Sequence, residues 1–96
     1  MRVRFTSPAA EDYAEAADFL IEKNPVAARS FLVAIDTVLN DLLLFPHSGR
    51  MTEKEGVRVR TLTGFPYRIY YELDGDTIVI LSVFHTSRNP EDSPAS

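Results

Sequence analysis

The chain contains no cysteine. Disulfides and thiolate metal sites are therefore excluded, which fits a reducing compartment. A long apolar run is missing too. The most apolar segment, Ala27 to Phe45, is broken by Asp36, Asn40 and Asp41, so no membrane span is expected. Arg2 and Arg4 are followed by no apolar h-region, so no signal peptide is expected. Positive charge is in deficit, with a formal net charge of −4 and an isoelectric point of about 5.0. Proteins that grip many phosphates are usually basic, so direct nucleic-acid binding is not expected. No Walker loop, dinucleotide glycine pattern or HExxH motif occurs, and Gly49 and Gly64 stand alone. Asp74 and Asp76 belong to a turn, not a metal cage. Neither a cofactor nor a metal is expected.

What is present suffices for one domain. A chain of 96 residues can bury roughly 60–70% of its unfolded surface, enough for a core without staples. Arg2-Val3-Arg4-Phe5-Thr6 alternates as a half-buried strand does, with Val3 and Phe5 toward the core and the arginines opposite. Ser7 can cap a helix whose first turn tolerates Pro8. Glu11 and Asp12 lie near the positive end of that helix. Tyr13, Ala16, Ala17 and Leu20 recur at helical spacing, and Glu11, Glu15, Asp18 and Glu22 line the wet side. Asn24-Pro25 ends this helix and caps the next, making the two antiparallel neighbours. The second helix carries the stripe Ala28, Phe31, Leu32, Ile35, Val38, Leu39 and Leu42. Ile35, Leu39 and Leu42 are expected in the core. Pro46 stops the helix.

The loop Phe45 to Arg50 and the polar, mobile segment Met51 to Glu55 lead into strands. Gly56 to Leu62 alternates, with Arg58 and Arg60 on one side. Thr63-Gly64 then turns into a β-hairpin of Phe65–Leu73 and Thr77–His85. Its Asp74-Gly75 pair permits positive φ at both central positions of a type I′ turn. The second arm hardly alternates, which marks a strand covered on both faces. Helices cover one face; the other is expected to present an open apolar patch for a partner. The fold class is α+β: an N-terminal strand, an antiparallel helical hairpin, then a three-stranded antiparallel β-meander. Residues 1–88 form a single domain. Residues 89–96 are rich in proline, acid and serine and are expected to be disordered.

Several residues carry candidate chemistry. Arg58, Arg60, Arg68 and Arg88 belong to the strands or their ends, and Arg68 could join Arg58 and Arg60 in a small basic patch. His85 is either an acid–base or contact residue, or a strand-end histidine bonded to backbone. His47 reads as surface filler in its loop. Tyr67, Tyr70 and Tyr71 suit a core or an interface more than base stacking.

One ordered set of short motifs spans Val3 to about Pro90. It comprises the first strand running into a capped helix, Asn24-Pro25 with Ala27 and Ala28, and Leu42 before Phe45-Pro46 and Gly49-Arg50. It continues through Gly56-Val57-Arg58, Phe65-Pro66-Tyr67-Arg68-Ile69-Tyr70-Tyr71 and Val83-Phe84-His85-Thr86-Ser87-Arg88. The set resembles the ParE branch of the RelE/ParE toxins of bacterial type II toxin–antitoxin systems. That resemblance implies a cytoplasmic toxin in a hetero-oligomer with a ParD-like antitoxin, whose helical, otherwise disordered C-terminal segment wraps it. It implies DNA gyrase as target for ParE toxins and ribosome-bound mRNA for RelE relatives. Three functional readings remain open. The first is a toxin that binds a protein through Arg58, Arg60, Arg68, His85 and Arg88. The second is a ribosome-dependent endoribonuclease using Arg68, His85 and Arg88. The third is an antitoxin-binding module without toxicity. The acidic balance, and the lack of an aromatic or a lysine after Phe84, favour the first.

Overall fold

Strand β1 (Arg2–Phe5) runs straight into helix α1 (Ser7–Lys23) in the computed structural model, which describes all residues from Met1 to Ser96. Sequence patterning places the cap at Ser7, but the cap is Thr6, whose side chain accepts from the Ala9 N–H at 3.2 Å. The reason is continuity with the strand: Thr6 keeps extended φ/ψ, and its own N–H donates to Ile80 O at 3.0 Å. Asn24 serves two helices. Its N–H closes α1 on Leu20 O, and its side chain accepts from Ala27 N to start α2 (Pro25–Leu44).

Helix α2 buries Ala28, Phe31, Ile35, Val38 and Leu42. Ile35 and Leu42 are fully buried as expected, whereas Leu39 is only partly buried at the margin of the core. Val38 takes the inner position beside it.

The strands β2 (Arg50–Met51), β3 (Val57–Thr61), β4 (Tyr67–Asp74) and β5 (Thr77–His85) join β1 in one sheet of order β1-β5-β4-β3-β2. The antiparallel meander is therefore extended at both ends. β1 pairs parallel to β5: the chain re-enters the sheet after the helices as β2, antiparallel to β1, and three successive reversals through β3 and β4 bring β5 round to the direction of β1. β2 straddles the end of the loop Phe45 to Arg50 and the start of the segment read as mobile, and adds an antiparallel edge on β3.

The register corrects two local expectations. Asp74 pairs with Thr77, so the hairpin loop is Gly75-Asp76 and not Asp74-Gly75. Gly75 has φ 60° and no non-glycine residue has positive φ, which is the sign pattern of a type II′ turn with glycine first. Tyr70 pairs with Ser82 but Tyr71 with Ile80, leaving Leu81 as an extra residue. This bulge shifts the side-chain phase. Ile78 and Ile80 before it, and Val83 after it, all reach the helix-covered core. The poor alternation of β5 thus has two causes: a central position between β1 and β4, and a phase change in mid-strand.

The second face of the sheet carries its own cluster, Val57, Val59, Tyr70 and Phe84. It is not the open patch expected from the sequence, since Phe84 is 2% and Val79 1% exposed. Leu81 and the tail residue Ala95 pack against the cluster. The tail itself forms a short 3-10 turn, Pro90–Asp92, capped by the Asn89 side chain. No helix is long and apolar enough to cross a membrane.

Candidate functional site

The candidate residues fall into three separate places. Arg58 and Arg60 lie opposite Tyr71 and Ile69 on the helix-covered side of the sheet. Arg58 donates through Nη1 to His47 O at 3.1 Å and Gly49 O at 2.9 Å. Arg60 donates to Ser48 Oγ at 3.0 Å and pairs with Asp41 of α2 at 3.3 Å. Both guanidinium groups are thereby committed to holding the loop between α2 and β2. Tyr71 completes the lock: its hydroxyl donates to Pro46 O and accepts from Gly49 N, each at 2.8 Å. Burial raises the pKa of this phenol, opposed by the Gly49 hydrogen bond and by Arg58 and Arg60. Gly49 is required by space. A Cβ there would lie 2.5 Å from Tyr71 Oη and 2.6 Å from Cε1. Gly49→Ala is expected to destabilise the fold by about 1–3 kcal/mol through overpacking. Urea unfolding checks this, and an unshifted midpoint would contradict the lock.

The second place is the end of β5 against α1. A cleft of about 350 Å³ is lined there by Asp12, Glu15, Phe19, Tyr67, His85 and Arg88, floored by Ala16 and Val83. β1 covers β5 only as far as Ile80. Beyond that point the strand edge would be open, and Asp12 fills the gap. Its Oδ2 accepts from Ser82 Oγ at 2.7 Å and from Val83 N at 3.1 Å, and its Oδ1 lies 3.6 Å from Arg88 Nη1. Arg88 also sits over the Phe84 ring at 4.7 Å.

His85 is held against Tyr67, ring centroids 4.9 Å apart and nearly perpendicular. Its Nδ1 accepts the Ser87 backbone N–H at 3.0 Å, so the neutral ring carries its proton on Nε2. The residue thus has the backbone bond of a strand-end histidine and one free N–H donor. Burial, then the nearby Glu15 carboxylate, raise the Tyr67 phenol above its ordinary pKa and keep it neutral.

Arg68 stands apart from both groups. It pairs with Thr61 and with Phe84, which places it on the second face of the sheet, opposite to Arg58 and Arg60. The single patch of Arg58, Arg60 and Arg68 does not form. Periodicity fixes faces within one strand, but the register between β3 and β4 decides which faces coincide.

Asp12 is the structural centre of the cleft and was not among the sequence candidates. Its signal was its place in the stripe Ala9, Asp12, Ala16, where both alanines are buried. An acid on a buried stripe needs partners. It also lies beyond the first turn of α1, so its partners are β5 donors and not the helix end.

Comparison with known proteins bears on the family and the fold. The model of a family described as the ParE toxin of type II toxin–antitoxin system, parDE, matches residues 3–90. Among solved structures, a chain of the chromosomal ParDE TA system from P. aeruginosa is similar, with a TM-score of 0.76 and 26% identity. That match covers 91% of this chain and 97% of the other. No curated protein matches the sequence.

Proposed function

The chain belongs to the ParE toxin family of type II toxin–antitoxin systems, and from that premise we propose that it acts by binding a protein target, DNA gyrase, in the cytoplasm. A ParD-like antitoxin neutralises it by direct binding. One observation carries the choice of binding over chemistry: the arginines do not converge. Arg58 and Arg60 hold a loop, Arg68 lies on the other face, and Arg88 is shared between Asp12 and Phe84. RNA cleavage through the 2′-OH needs a base, a cation and an acid around one phosphate. Arginine is a poor proton carrier because its pKa is so high.

The nuclease reading keeps one favourable feature, the shared cleft of His85 and Arg88. The two residues separate the readings. His85→Ala is expected to weaken toxicity mildly, because its Nδ1 serves the local turn. Arg88→Glu is expected to weaken target binding strongly, by tenfold or more if a like-charge contact of about 1.4 kcal/mol or more replaces an attraction. Growth arrest on induction, and its relief by the co-expressed antitoxin, reads both. Loss of toxicity in His85→Ala together with full toxicity in Arg88→Glu would overturn the binding reading. A folded chain that binds antitoxin but never arrests growth would leave the antitoxin-binding module.

A further inference from the structure

Helix α2 has a second face. Its buried stripe is turned toward the sheet and α1. On the opposite side Val26, Ser30, Val33, Thr37, Asn40 and Leu44 are all exposed. They follow one another in alternating steps of four and three residues. That is the seven-residue repeat of a coiled-coil seam, and it runs along the outside of the molecule for the length of the helix. Its apolar members are far from covered: Val26 is 77%, Val33 60% and Leu44 72% exposed.

The seam carries no charge. Two copies of a chain bring identical surfaces together across a two-fold axis, so a charged face repels itself. The outer side of α1, with Glu11, Glu15, Asp18 and Glu22, is unfit for such a contact in a chain of net charge −4. The outer side of α2 is fit for it. The Thr37 hydroxyl already donates to Val33 O at 2.9 Å, so covering it leaves no donor unpaired. The seam also matches itself. Laid antiparallel with the axis level with Ile35, Val26 meets the partner's Leu44 and Val33 meets the methyl of the partner's Thr37. Ser30 meets the amide of the partner's Asn40. Apolar positions fall on apolar ones and polar on polar. Asp36 borders the seam beside the axis and faces the partner's Asp36, which weakens the contact.

We infer that the outer face of α2 is a homodimer interface, an antiparallel helix pair formed with a second copy of this chain. The inference stands apart from the toxin reading. A foreign helix would need a matching seam of its own, whereas this seam is matched by its own sequence. The dimer is weak. A 20-residue helix is about 30 Å long and 10 Å across, so one helix pair falls short of the roughly 800 Å² per partner of a standard interface. No residue of α2 lines the cleft of Asp12, His85 and Arg88, so the dimer presents two such clefts.

Sedimentation velocity on the full chain, from about 10 μM to about 1 mM, reads the association directly. The mean mass is expected to rise toward two chains across that range. Val33→Lys lies at an exposed helix position and is expected to keep the circular dichroism of the fold. It is expected to weaken association by about tenfold or more, because it sets two charges near the axis. Ile21→Lys on α1, where Ile21 is 54% exposed, is expected to leave association within about twofold. Asp36→Asn is expected to tighten it by about twofold to fivefold, and Thr37→Leu by about tenfold or more. Because the chain lacks cysteine, disulfides report the direction. Positions 26 and 44 lie about 27 Å apart along one helix. Mixed and oxidised, Val26→Cys and Leu44→Cys chains are expected to form the mixed disulfide, with little of either like pair. Like pairs in excess would overturn the antiparallel dimer. So would chains that stay monomeric in both the native and Thr37→Leu forms, or association that Val33→Lys does not alter. Val33→Lys that weakens antitoxin binding, in a chain monomeric throughout, would assign the seam to the antitoxin and overturn the second copy.

Discussion

Replacing Phe31 by alanine is expected to destabilise this protein by about 3–5 kcal/mol, the usual cost of deleting a buried phenylalanine. Phe31 is fully buried on α2 and is the hub of an aromatic group. Its ring meets Tyr13 at 6.0 Å, Phe65 at 5.5 Å and Tyr67 at 5.3 Å, in edge or tilted geometries. Such pairs add about 0.5–1.5 kcal/mol beyond buried area. The three partners come from α1, the β3–β4 turn and β4, so no single element can collapse into the void. Small domains are stable by only about 5–15 kcal/mol, so the loss is a large share of the total. Urea denaturation should show a lower midpoint with an unchanged slope. Val33→Ala on the exposed side of the same helix, where Val33 is 60% exposed, is expected to change stability by less than about 0.5 kcal/mol. Equal effects at the two positions would mean that the inner face of α2 has been misplaced.

Asp12→Ala is the second large effect, and its cause is polar. The carboxylate is the acceptor for Ser82 Oγ and Val83 N at the uncovered edge of β5. Those residues are 5% and 2% exposed, so water cannot readily replace it. Leaving a buried donor without a partner costs about 1–3 kcal/mol. Two such donors give a loss of about 2–6 kcal/mol, with no credit taken for the longer contact to Arg88. Asp12→Asn keeps one carbonyl acceptor and is expected to retain part of the loss. Amide exchange at Val83 is the specific readout. Protection there should fall in Asp12→Ala more than at Ile69, its partner on β4. If protection stays level while stability drops, Asp12 acts through helix packing and not as a plug for the strand edge. Release of Arg88 should also blunt target binding in the folded fraction, linking this edge repair to function.

Much of the fold can be read from local chemistry. Val3 and Phe5 face the core because a strand alternates, Asn24-Pro25 divides the helices because proline restricts the residue before it, and Gly75 marks the hairpin. What is not legible depends on contacts between distant segments. The parallel pairing of β1 with β5 depends on how many strand reversals follow the helices, β2 among them. The extra residue at Leu81 appears only when β4 and β5 are aligned. Arg68 changes face relative to Arg58 and Arg60 for the same reason: sequence period orders each strand but not the register between strands. The two arginines of β3 look like a binding patch in sequence, yet the loop from Pro46 to Gly49 consumes them. His85 and Arg88 do share a site, because three residues past the end of a strand still leave them beside one cleft.

Binding of a protein target is the centre of this account. The most direct measurement adds the purified chain to a DNA gyrase supercoiling reaction and, in parallel, to mRNA on translating ribosomes. The account predicts inhibited supercoiling or trapped gyrase–DNA cleavage, with intact mRNA, and relief by the antitoxin. Codon-phased mRNA cuts that vanish in Arg68→Ala or His85→Ala, with supercoiling unaffected, would contradict it.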